Sequence, residues 1–158
     1  MVFHWAGRVI DLWLALTRLV RYARGAWRAL PGDAMALLVM HACGIDSPGR
    51  EAREGDISAV LIEDPRAALY LDHQWMPVHA QTLGRYIFAR ERLADRTVAH
   101  ELEHVRQWSR LGPLFLPAYA LSSGLAILNG RRPYDANRFE EAARRREVAP
   151  PVPKPDES

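Results

Sequence analysis

Apolar residues recur at three- and four-residue steps along residues 8–30, at Val9, Leu12, Trp13, Leu16, Leu19, Val20, Ala23, Trp27 and Leu30. That spacing predicts a long amphipathic helix. Arg8, Arg18, Arg21, Arg24 and Arg28 fall mostly between the apolar positions. Such a basic segment, which also carries Trp5, either covers a small core with its arginines solvated or lies on an anionic membrane surface. Pro31-Gly32-Asp33 is expected to end this helix, and residues 34–43 to form a short buried helix stopped by Gly44.

Residues 44–56 are rich in Gly, Asp, Ser and Arg and read as a surface loop. Two short β-like runs, 57–62 and 68–71, flank the turn-like Glu63-Asp64-Pro65-Arg66. The strongest strand candidate is 82–90, where Leu83, Tyr86, Ile87 and Phe88 favour extended backbone. Asp95 or Thr97 can cap the next helix. Its apolar stripe is Val98, Leu102, Val105 and Trp108, with His100, His104 and Gln107 on nearly the opposite side, and Gly112-Pro113 closes it. Residues 111–130 contain no charged side chain and just meet the length of a membrane span. Pro113, Pro117, Ser122, Ser123 and Gly124 interrupt that stretch, so a buried loop and helix is expected, with membrane association the alternative. Asp135 or Asn137 can cap a last helix over 138–147. Residues 149–158, with four prolines, read as a disordered tail.

These elements describe one domain over 1–148, with an N-terminal helical segment (1–43) and a core (57–147). The expected class is α+β, mainly helical, with a small sheet beside the histidine helix. At 158 residues the chain is long enough for a real hydrophobic core. A formal net charge of +2 gives no field for nucleic acid. The pI near 9.0 comes from arginine, since Lys154 is the only lysine. Cys43 stands alone, which excludes an intrachain disulfide and a Cys-rich zinc knuckle. Asp11 and Arg18 interrupt the first apolar stretch and no small-residue cleavage site follows, so a cleavable export signal is not expected. The expected compartment is the cytoplasm or the inner face of a membrane.

The chemistry concentrates in His100-Glu101-Leu102-Glu103-His104. Residues four apart on a helix sit one above the other, so both imidazoles can share one metal ion. Glu101 lies roughly 60° from His104 and 100° from His100 around the helix axis, placed to reach a metal-bound water without taking a coordination position. A solvated charged helix face is the plain alternative. A third ligand is expected on the helix over 138–147, where Glu140 abuts a packing face of Phe139, Ala142 and Ala143. Glu140 and Glu141 could equally form i,i+4 ion pairs with Arg144 and Arg145. His4, His41, His73 and His79 lack helical partner spacing and read as structural or solvated.

His100-Glu101-x-x-His104 followed by Glu140-Glu141-Ala142-Ala143 resembles the gluzincin metallopeptidases. The stretch from Thr82 to Phe88 running into 99–107 is similar to a bacterial putative-metallopeptidase domain of the kind found in contractile injection system core proteins. The likeness covers roughly residues 79–146. It implies a minimal zincin-like core, a Zn2+ ion on His100, His104 and Glu140, and peptide or protein substrates. Glu101 would be the general base, and an oxyanion donor is expected at Tyr134 before Tyr119. The segment 82–90 would be the edge along which a peptide adds as a strand. Arg144 stands where many gluzincins carry an Asp that orients a histidine ligand; Asp135 or a backbone carbonyl is the expected substitute.

Overall fold

The computed structural model describes residues 27–74 and 78–148. The start of the expected 8–30 helix and the 149–158 tail lie outside them. The architecture is α+β and mainly helical, with one four-stranded mixed sheet. In chain order the elements are α1 (helical over 27–43), β1 (Arg50–Glu54), β2 (Ile57–Glu63), α2 (Ala67–Leu71), β3 (Ala80–Leu83), β4 (Tyr86–Ala89), α3 (Asp95–Leu111), α4 (Phe115–Leu128) and α5 (Arg138–Val148). A 3-10 turn at Gly112–Leu114 joins α3 to α4.

The sheet order is β1-β2-β4-β3, with β2 and β4 parallel and the two outer pairs antiparallel. Side chains alternate between its faces. On one face Ile62, Leu83 and Phe88 pack with Ala36 of α1 and with Ala67 and Leu71 of α2. On the other, Ala59, Leu61 and Ile87 pack with Leu102 and Val105 of α3. The register aligns Leu61 with Ile87 and Ile87 with Thr82, so Thr82 joins the row that faces α3.

Five local expectations are corrected. Residues 27–43 form one continuous helix, so Pro31-Gly32-Asp33 ends nothing. Gly32 lets α1 touch the β3–β4 turn, where a Cβ would come within 2.4 Å of the Gly84 nitrogen. Asp33 accepts hydrogen bonds from the Arg85 backbone N–H at 2.7 Å and from its guanidinium at 2.8 Å. The helix is also only half buried, with Leu37 and Leu38 exposed. Next, the loop expected at 44–56 contains β1, whose Arg and Glu side chains stay outside while only Ala52 is buried.

The run 68–71 is helical, not extended. The expected strand 82–90 is a hairpin: Gly84 at φ 61° followed by Arg85 gives the two-residue turn that matches strand twist. Finally, α4 is not a buried helix. Phe115 and Ala126 are its only buried residues, whereas Leu116, Leu121, Leu125, Ile127 and Leu128 are exposed. The helical stretch Asp95–Leu128 is, by length and composition alone, apolar enough to cross a membrane.

Candidate metal centre

α3 and α5 pack against each other and bring three ligand atoms together. α3 begins at Asp95 after Ala94, with no side-chain cap from Asp95 or Thr97. Its middle is buried on every side, histidines included, so the plain reading of a solvated charged face does not hold. The start of α5 is fixed by Asn137, as expected: its Oδ1 accepts the Phe139 N–H at 2.9 Å. The wholly buried Asn137 also donates to the Tyr119 carbonyl at 3.2 Å and to Ser123 Oγ at 2.8 Å, tying α5 to α4. Glu140 therefore sits in the first turn of α5, where the helix dipole favours a carboxylate.

His100 Nε2 and His104 Nε2 are 3.2 Å apart. Glu140 places Oε2 at 3.4 Å from His100 Nε2 and Oε1 at 3.3 Å from His104 Nε2. Tetrahedral zinc with bonds near 2.0–2.1 Å separates its ligand atoms by about 3.3–3.4 Å. The donor set thus has the dimensions of a metal site, and Glu140 Oε2 is buried without a hydrogen-bond partner. A buried oxygen left bare is costly unless something else satisfies it. These residues can hold a metal ion. His41, His73 and His79 are exposed and belong to no such group among the described residues.

The surrounding contacts set tautomer and charge. Gln107 Nε2 donates to the Phe139 carbonyl at 3.1 Å, so its Oε1 faces His104 Nδ1 at 2.9 Å and requires an N–H there. A neutral His104 then presents the Nε2 lone pair to the site. In the metal-free protein, burial opposes a charged His104, but the Glu140 carboxylate, with Glu101 and Gln107, raises its pKa to about 9. Burial disfavours an ionised Glu140, yet contacts from His100, His104 and Tyr119 hold its carboxyl well below the usual range.

Tyr119 Oη donates to Glu140 Oε1 at 2.8 Å. The tyrosine ranked second in the sequence thus touches a ligand directly. Tyr134 is 40% exposed, and burial together with the Glu140 charge pushes its phenol up. The alternative Glu140–Arg144 ion pair does not form. Arg144 donates to the carbonyls of Tyr134 and Asp135 and lies over the Tyr134 ring. The carboxylate beside His100 comes instead from Glu147, whose Oε1 lies 2.6 Å from Nδ1 but outside hydrogen-bond alignment, so this contact is electrostatic.

Glu101 is buried, and its Oε2 accepts a 2.7 Å hydrogen bond from Thr82 Oγ1 on β3. Its charge acts on His104, Tyr119 and Tyr134, which places it beside the candidate ligands. β3 is the sheet edge nearest this site and β4 is interior, so the edge expected over 82–90 shrinks to Ala80–Leu83. Even there the Thr82 carbonyl already accepts Trp108 Nε1 at 3.3 Å. Phe115 closes the back of the site against Trp108, His104, Tyr119 and Phe139.

Sequence reasoning missed Thr82 and Glu147 as site residues, and placed Gln107 on the histidine face without a role. Gln107 was recognisable as the residue three beyond His104 on the same face, and Glu147 as the one seven beyond Glu140; nothing in the sequence marked Thr82. Compared with known proteins, the chain matches no family model, no curated protein and no solved structure.

Proposed function

We propose that the protein is a zinc-dependent metallopeptidase whose metal ligands are His100, His104 and Glu140. The observation that carries this reading is the spacing of 3.2–3.4 Å among their facing atoms, beside a buried carboxylate oxygen with no partner. The order of His-Glu-x-x-His and a later Glu, shared with the gluzincins, supports it from the sequence. A zinc ion with one open position supplies a water acidified toward neutral pH and a Lewis acid for the scissile carbonyl.

The chain's own residues do the rest. Glu101, held at Oε2 by Thr82, takes a proton from the attacking water as its oxygen adds to the carbonyl carbon. When the C–N bond breaks, Glu101 passes that proton to the leaving amine. Tyr134, the more exposed of the two tyrosines near Glu140, is our candidate donor to the oxyanion. Cys43, free in this chain, suits a reducing compartment, and a cytoplasmic location belongs to the proposal.

A second reading is a zinc site kept for stability. The burial of His100, Glu101, His104 and Glu140, each under 9% exposed, favours it because a substrate has little room to approach. Glu101→Gln separates the two. On the peptidase reading the variant keeps one zinc per chain and loses peptide hydrolysis. A wild-type protein that binds zinc and cleaves no peptide in a mixed library overturns the enzymatic reading.

A further inference from the structure

α4 turns Phe115, Ala126 and three hydroxyl side chains inward and its leucines outward. Tyr119 reaches Glu140, Ser123 accepts from Asn137, and Ser122 Oγ accepts the Arg138 N–H at 3.1 Å. Its large aliphatic side chains point away from these contacts, with Leu121, Leu125 and Leu128 at 65%, 51% and 83% exposure. A helix on a water-facing surface keeps its outer side polar, and an apolar patch left outside marks an interaction surface.

Charge selects the partner. No Asp or Glu lies between Glu103 and Asp135, while Arg110, Arg131 and Arg132 stand exposed at the two ends of the uncharged stretch. The exposed Trp27 lies near the start of α4, because the Arg28 backbone packs on Gly112 and Arg28 Nη1 donates to the Arg110 carbonyl at 3.1 Å. An apolar face bounded by arginines and an interfacial tryptophan suits the headgroup region of an anionic bilayer. Length argues against crossing: the 14 residues of α4 extend about 21 Å, against roughly 30 Å of hydrocarbon. A span of about 20 residues ending at Leu128 would begin at Ser109 and take in Phe115, which is buried against His104 and Trp108, and Tyr119, which donates to Glu140.

We infer that α4 docks in the plane of an anionic lipid bilayer, with Leu121, Leu125 and Leu128 immersed and Arg110, Arg131 and Arg132 among the headgroups. Tyr119, on the other side of the same helix, then holds Glu140 within about one helix diameter of the lipid, some 10 Å. The docking itself is independent of the hydrolase proposal. Only its corollary, that the peptides within reach are those at a membrane surface, rests on that reading.

The test is cosedimentation of the 158-residue chain with phosphatidylglycerol/phosphatidylcholine vesicles, against phosphatidylcholine alone, with and without EDTA. The full chain should pellet with the anionic vesicles whether or not metal is chelated. Leu121→Asp/Leu125→Asp should partition at least about tenfold more weakly, with a circular dichroism spectrum like the wild type's. Arg131→Glu/Arg132→Glu should weaken binding without changing the apolar face. Wild-type protein left in the supernatant overturns the inference, as does a folded leucine variant that pellets normally. A dimer in sedimentation velocity that disappears in the leucine variant also overturns it, since the face then belongs to a second copy.

Discussion

Glu147 Oε1 stands 2.6 Å from Nδ1 of His100, across the ring from the Nε2 that faces Glu140. A carboxylate on that side favours the tautomer with its proton on Nδ1 and makes Nε2 a stronger donor to a metal. Glu147→Ala should therefore weaken zinc binding by up to about 10-fold, the low end of the effect of losing a hydrogen-bonded partner, because this contact is electrostatic. Arg144→Ala should leave affinity near wild type, because Arg144 touches the carbonyls of Tyr134 and Asp135 and no ligand. Competition with a chromophoric chelator measures both. Equal affinities for the two variants would remove Glu147 from the site.

Metal uptake should release a proton. His104 rises from 6.5 to about 9 in the metal-free fold, burial notwithstanding, because Glu140 and Glu101 favour its charged form. The sign follows directly. A raised pKa gives the metal-free protein stability that is complete below 6.5 and lost as pH climbs through about 9. The lowered Glu140 contributes above its ordinary 4.5 and loses that contribution in acid. Zinc requires neutral His104, so its affinity should increase with pH up to about 9. The gap in Tm between zinc-loaded and EDTA-treated protein should widen from pH 6 to pH 8.5. A gap that stays constant over that range contradicts the assignment.

Thr82→Val tests the bond that holds the candidate base. Valine keeps the shape of threonine but leaves buried Glu101 without its 2.7 Å donor. Loss of one partner to a buried charged group costs about 1–3 kcal/mol, to be read from urea unfolding. Zinc stoichiometry should stay at one, since Thr82 touches no ligand, and any peptidase activity should fall. Unchanged stability would mean that solvent already satisfies Glu101.

The sequence made the His100, His104 and Glu140 grouping legible because helix geometry is local. Residues 100 and 104 share a face whatever surrounds them, and Asn137 marked the start of the helix that carries Glu140. The sheet was harder to read. β1 buries only Ala52, so no apolar alternation announces it, and it exists because Arg50–Glu54 pairs with β2. Gly84-Arg85 interrupts an apolar run that looks continuous, and only the turn chemistry of glycine separates β3 from β4. α2 is a five-residue apolar run, too short for periodicity to distinguish helix from strand. The outward leucines of α4 were misread because an uncharged run usually signals burial. Here Tyr119, Ser122 and Ser123 share the inward side with Phe115 and Ala126 and leave the leucines outside.

Glu103, inside the His-Glu-x-x-His segment but turned away from the candidate ligand set, belongs to a different interaction. Its carboxylate pairs with Arg106 and with Arg146 of α5 at 3.3 Å, while Glu54 of β1 contacts both arginines at 3.4 and 3.5 Å. This four-membered network joins β1, α3 and α5, and so helps to set where α5 holds Glu140. Glu103 and Arg106 are both largely buried, so removing Glu103 leaves Arg106 with only its longer 3.4 Å contact to Glu54. Glu103→Ala should cost up to about 3 kcal/mol, the low end for breaking a buried pair because Glu54 still faces Arg106, and weaken zinc binding with it. Glu54→Ala should cost less, since Glu54 is more exposed and Arg106 keeps Glu103. Replacing the pair together, Glu103→Leu/Arg106→Met, should recover most of the loss, because neither charge is then left unpaired in the interior. Urea unfolding of the zinc-free proteins checks the order. If the double replacement is as unstable as Glu103→Ala, the network stabilises the fold through its charges, and desolvation is not the dominant cost.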